Sequence, residues 1–220
     1  YPADEVTREL ARVIEGRRAD YSDPAALAAM VLRPALYGDA PYGNINGGTP
    51  ESLSALTEAD LAAYAATWWR PAAAQAVVTG GIAPDAAFAL VENLFGDWSA
   101  ASAPPVAPAD PAGIPLRPRT VVIDLPDAGQ AAVYLVGRGP ERSDATWYPL
   151  DLANAVLGGG SNGRLFEEVR NRRSLSYGAY SQLGSQRFDP LVSASAQTAN
   201  ETVDEVVAVM LGEYARLGSE

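Results

Sequence analysis

The stretch "VLGGGSNGRLFEEVRNRRSLSYGAYSQ", Val156 to Gln182, decides what this chain folds into and what it can hold. Gly158 and Gly163 bracket four residues, as the phosphate-cradling pattern Gly-x-x-x-x-Gly-Lys-Ser/Thr requires. Arg164 stands where the phosphate-binding Lys belongs, and Leu165 replaces the hydroxyl that would bind magnesium. The segment before the glycines, Thr146 to Leu157, reads as a helix rather than the required strand. These three departures argue against a nucleotide site. The glycines are instead expected to end a helix and form a tight turn, where Gly tolerates positive φ. A short helix, "RLFEEVRNR", then leads into a strand, "SLSYGAYSQL". Arg170 ends the helix and Tyr177 enters the strand, so both side chains are expected to aim at one spot.

Upstream of the Thr146 helix, "RTVVIDL" and "GQAAVYLVG" read as strands. Downstream, "PLVSASAQT" alternates Val192, Ala194 and Ala196 with Ser193, Ser195 and Gln197, the period of a strand with one buried face. The last helix places Val203, Val206, Val207, Met210, Leu211, Tyr214 and Leu217 on one stripe, which must pack on a sheet. In the first hundred residues "EVTRELARVIEGRR" and "DPAALAAMVLRPALYG" look helical. Thr57 with Asp60 forms a capping box, and a strand "AQAVVTG" precedes a helix begun by Pro84. That helix is expected to bury Phe88, Val91 and Phe95 and to close at Gly96. Strands joined by short turns, with helices in separate runs, imply an α+β fold: two layers, a mostly antiparallel sheet covered by helices.

The run "SAASAPPVAPADPAGIPLRP" can neither continue a helix nor pair fully in a sheet. It predicts a linker over 99–118 between a partial α+β domain, 1–98, and an α+β domain, 119–220. The 27 acidic and 16 basic residues give a net charge of -11, which repels nucleic-acid backbones and anionic lipid. Cys and His are both absent, which removes disulfides, thiolate or imidazole metal sites and every His-based triad. The basic residues are all Arg, so Lys-nucleophile mechanisms are excluded too. No apolar run reaches membrane-spanning length, and "YPADEVTREL" has no signal-peptide pattern. The chain opens and closes on helical patterns, which predicts a piece of a longer polypeptide.

"LGGGSNGRLFEEVRNRRSLSYGAYSQL" resembles the C-terminal-half signature of the insulinase/pitrilysin family of zinc peptidases, which includes the mitochondrial processing peptidases. "LYGDAPYGNINGGTPESLSALTEADLAAY" is similar to the family's His-Pro-Tyr-Gly, glycine and Leu-Thr-x-x-Asp-Leu sequence, with Ala40 in place of the His. "AQAVVTGGIAPDAAFALVENLFGDW" resembles its strand, helix and Phe-Gly-x-Trp ending. The resemblance implies a metalloprotease-like fold. It also implies that Arg170 and Tyr177 bind substrate, by hydrogen bonds to backbone carbonyls of a peptide laid as an extra strand on a sheet edge of the catalytic half. The family's zinc is held by a His-x-x-Glu-His helix and a downstream Glu. No such helix occurs here, and the nearest candidate for the downstream Glu, Glu15, is out of step, with Arg17 close to the expected place. No residue of this chain is therefore expected to be catalytic or to bind metal. Zinc is expected in a catalytic half, present in cis or as a separate subunit.

Three roles follow from the resemblance: a non-catalytic half that closes the proteolytic chamber and positions extended peptide, a fragment of an active zinc endopeptidase whose metal helix lies upstream of Tyr1, or a purely structural subunit. The resemblance also implies a bacterial periplasmic or secreted location. Arg164, Arg172 and Arg173 are expected to serve the helix C-terminus and solvent, and Trp68, Trp69, Trp98 and Trp147 to be core or boundary aromatics. Carboxylates without imidazole or thiolate make a poor tetrahedral zinc site. The dialysed chain is therefore expected to carry no stoichiometric zinc by metal analysis, and one tightly bound zinc per chain would overturn this.

Overall fold

The computed structural model describes residues 1–99, 117–184, 186 and 190–219, so most of the Pro-rich stretch lies outside the described residues. The chain divides into two compact units. One gathers residues 1–14 with the chain from Glu51 to Ser99, and the other gathers residues 15–50 with the described residues from 117 on.

The first unit is helical among its described residues. Helix α1 (Ala3–Asp20) begins in it and is laced by surface pairs three residues apart, Arg8 with Glu5, Arg12 with Glu9 and, past Ile14, Arg18 with Glu15. Helix α2 (Pro24–Tyr37) belongs to the second unit, while the short α3 (Pro50–Ser54) and α4 (Glu58–Trp68) lead into the first unit's next stretch. The expected capping box is present: Thr57 Oγ1 accepts from the Asp60 amide at 3.3 Å, and the Asp60 carboxylate accepts from the Thr57 amide at 2.8 Å. Helix α5 (Pro84–Phe95) starts and stops where Pro84 and Gly96 predict, but Phe88 is 75% and Phe95 53% exposed. The expected strand "AQAVVTG" is not paired, and Val77 is 82% exposed. A strand needs a partner to satisfy its amides and cover its face, and none stands beside it among the described residues.

The second unit holds the sheet. Strand β1 (Ala131–Arg138) is followed by α6 (Trp147–Gly158) and α7 (Arg164–Phe166), which continues as a π-helical segment Glu167–Arg172. Strands β2 (Ala179–Leu183) and β3 (Leu191–Thr198) come next, and α8 (Val203–Leu217) closes the unit. The sheet is antiparallel throughout, with order β1-β3-β2. Register sets Val133, Ala196 and Ala179 side by side, and Leu135, Ala194 and Ser181 in the next row. These rows face Leu157, Leu165, Val169, Val206 and Met210 from the helices, which makes one apolar core between two layers. The antiparallel, helix-covered α+β expectation holds.

Details differ from the sequence expectation. "RTVVIDL" is unpaired, with Val122 86% exposed. Strand β2 begins only at Ala179, because the residues before it are spent on a turn. Leu211 points away from the α8 stripe, whereas Glu213 is buried. Of the four tryptophans only Trp147 is buried. The glycines of this run do not supply positive φ: among the described glycines that conformation falls on Gly38, Gly47, Gly48 and Gly80 instead. Their task is close approach. A Cβ on Gly158 would meet the Ser181 amide nitrogen at 2.6 Å, and one on Gly163 would meet Gly158 Cα at 2.7 Å. Helix α6 thus ends directly against β2, where the Ser181 hydroxyl also donates to the Asn154 carbonyl at 3.2 Å.

Gly158→Ala forces backbone apart in a packed layer and is expected to cost about 1–3 kcal/mol in urea unfolding. Gly160→Ala, at a position with open space, is expected to stay within about 0.5 kcal/mol of the parent.

Candidate functional site

The stretch from Arg164 to Tyr180 is built around one guanidinium. Leu165, Phe166 and Val169 turn into the core, which fixes the face of the helical segment that carries Arg170. The Arg170 guanidinium carbon lies 4.3 Å from the centre of the Tyr177 ring and 5.0 Å from that of Phe166, four residues earlier. Phe166 in turn meets the Tyr180 ring with centroids 5.7 Å apart. The structure therefore brings Arg170 and Tyr177 together, as their spacing predicts. Arg170 lies inside the π-helical segment rather than at a helix end, and Tyr177 lies in a bend two residues before β2, itself an edge strand of the sheet.

The reversal between the two residues is tightly determined. Ser174 takes φ 54°, its amide donates to the Arg170 carbonyl at 3.0 Å, and the Leu175 amide donates to the Val169 carbonyl at 2.9 Å. The buried Thr198 hydroxyl on β3 donates to the Leu175 carbonyl at 2.6 Å and lies 2.6 Å from the Thr202 hydroxyl, which ties the turn to the sheet. The Ser176 hydroxyl donates to the Gly178 carbonyl at 2.8 Å and accepts from its amide at 3.2 Å. Tyr177 projects from this frame 85% exposed. Among the described residues, neither the Arg170 guanidinium nor the Tyr177 hydroxyl has a hydrogen-bond partner.

Beside Tyr177 an open cleft of about 230 Å³ runs over the sheet face opposite the core, between Tyr134, Tyr180, Ser195 and Gln197. Burial and the negative charge of Asp23 push the Tyr134 hydroxyl above its ordinary value, and it donates to the Ala25 carbonyl at 3.5 Å. Phe166 and Tyr180, which support the pair, carry a faint signal in the sequence: Phe166 is one helical turn before Arg170. The side chains of Arg172 and Arg173, expected to face solvent, converge on Glu168, whose carboxylate is buried. The hydrogen bond from Arg173 holds the Glu168 carboxyl below its ordinary value against the opposing effect of burial, with help from the charges of Arg172, Arg173 and Arg216.

Glu15 pairs with Arg18 on the surface, and Arg17 donates to Asp20 at 3.0 Å while its guanidinium lies against Gly47. Among the described residues no three carboxylates gather to hold a metal ion. No helix among them is long and apolar enough to cross a membrane.

The family described as the peptidase M16 inactive domain matches residues 55–220. The chain belongs to this family. It is a non-catalytic half of the insulinase type, within a group of zinc-protease-like proteins. An uncharacterized zinc protease of Mycobacterium tuberculosis is 34% identical over 208 residues, which cover 94% of this chain and 47% of that protein. Another from Bacillus subtilis is 25% identical over 217 residues, 96% of this chain and 52% of that protein. The peptidase M16 inactive domain of Pseudomonas fluorescens superposes with a TM-score of 0.86 at 24% identity, covering 98% of this chain and 52% of that one. The chain thus spans about half the length of the relatives it matches. The zinc in those relatives' names does not fit the donors here, since the chain has neither imidazole nor thiolate.

Thr198→Val keeps the volume but leaves the Leu175 carbonyl without its donor, at an expected cost of about 1–3 kcal/mol in denaturant unfolding. Hydrogen exchange at residues 174–178 is expected to rise with it.

Proposed function

We propose that this chain is the peptide-positioning half of a zinc-peptidase-like protein. It closes the chamber of a catalytic half, in cis or in a separate subunit, and holds extended peptide without cutting it. The observation that carries this reading is the stacked Arg170 and Tyr177 pair at the sheet edge, with donors that no side chain occupies among the described residues. A peptide added as a strand pairs through one of its backbone edges and leaves the carbonyls of the other to be held. A guanidinium offers up to five donors and a phenol one. The chain's own residues would bind and orient the peptide, while zinc in the catalytic half would supply the hydrolytic chemistry.

Substitutions at the pair test the proposal in the full-length protein joined to its catalytic half. Tyr177→Phe removes one neutral hydrogen bond and keeps the ring, so peptide affinity and turnover are expected to fall about two- to tenfold. Arg170→Ala is expected to cost more than about tenfold, because charge-assisted bonds are stronger. Neither change should shift thermal unfolding beyond a few degrees, since both side chains lie outside the core. Wild-type affinity and turnover in the double variant would leave the structural-subunit role in its place.

A further inference from the structure

The turn that joins Arg170 to Tyr177 is held from behind by a residue that touches neither. Glu168 is two residues from Arg170, which places it on the opposite side of the helical segment, and it is only 8% exposed. Its Oε1 accepts from Arg172 Nη1 at 2.8 Å, its Oε2 accepts from Arg173 Nη1, and the same nitrogen donates to the Glu168 carbonyl at 3.1 Å. One buried residue therefore grips the two that immediately precede the reversal at Ser174.

We propose that Glu168 is a positioning residue: by holding Arg172 and Arg173 it fixes where the chain reverses, and so aligns Arg170 with Tyr177 for peptide. This rests on the peptide-holding role of that pair. Backbone bonds from the Ser174 amide to the Arg170 carbonyl and from the Leu175 amide to the Val169 carbonyl close the reversal, but they leave the side chains of the residues before it unfixed. The carboxylate fixes two of those side chains, and the hydrogen bond from Arg173 holds its carboxyl below the ordinary value. A buried ion pair is weak evidence for stability, since the cost of taking the charges out of water offsets much of their attraction. Here the grip sets geometry, and the residues it orders lead directly to Tyr177.

A double-mutant cycle on the full-length protein with its catalytic half tests the assignment, read as the dissociation constant of a fluorescent extended peptide, with KM, kcat and thermal unfolding alongside. Glu168→Gln is expected to weaken peptide binding and raise KM about three- to tenfold, with kcat changed less than about twofold. In the Arg170→Ala background the same change should have almost no further effect, because it acts through Arg170. Arg173→Gln, at a partly exposed site, should reproduce the pattern if Glu168→Gln folds poorly. An unchanged dissociation constant in both single variants, or an equal loss in both backgrounds, overturns the positioning role. If Arg170→Ala itself leaves peptide binding intact, the peptide-holding role of the pair is what fails, and the positioning role falls with it.

Discussion

The contact on which the rest of the second unit depends is the meeting of Gly158 with the backbone of Ser181. A helix end and a strand approach so closely there that no Cβ fits between them. That approach fixes where α6 stops, and Gly163, packed against Gly158, starts α7 from the same point. The direction of α7 then puts Leu165 and Val169 into the core and leaves Arg170 on the opposite edge. A glycine run that resembles a phosphate cradle in outline is thus a packing joint.

From that joint onward the chain alternates buried anchors with exposed chemistry. Phe166 is anchored and Arg170 stacks above it; Glu168 is anchored and Arg172 with Arg173 reach back to it; Thr198 is anchored and Leu175 hangs from its hydroxyl. Such alternation matters because Arg carries many rotamers, and each donor that must be ordered at the moment of binding costs conformational entropy. A guanidinium laid between two rings has lost much of that freedom before any ligand arrives. The local charge also runs against the whole: four of the 16 basic residues fall between Arg164 and Arg173 in a chain of net charge -11.

What was legible in the sequence was what depends on local chemistry. The Thr57–Asp60 box, the Pro84 start and the alternation of β3 all follow from residues within one or two turns of each other. So did the convergence of Arg170 and Tyr177, although the π-helical segment and the bend at Tyr177 were hidden, since both arise from how Val169, Leu175 and Thr198 pack. "AQAVVTG" and "RTVVIDL" have strand composition, yet composition describes a surface that fits a sheet and not the presence of one. Glu213 was invisible for a related reason. Its burial is tolerable only because Arg216, one turn on, donates to it at 2.9 Å, and a polar residue on an apolar stripe looks solvated until its partner is placed.

The proposed division of labour between halves rests on the donor inventory. Zinc needs soft or borderline donors fixed in a tetrahedron, and this chain offers only carboxylates, scattered in pairs with Arg. A peptide backbone, the proposed ligand, would need the opposite: proton donors held rigidly at an edge. Arg170 would meet that requirement better than Lys, because its planar fork can meet two acceptors at once. Tyr177, aligned beneath it, adds a donor whose direction is set by the ring rather than by a flexible stem. On the proposed reading, a half that lacks metal ligands and keeps such a pair is equipped for binding alone.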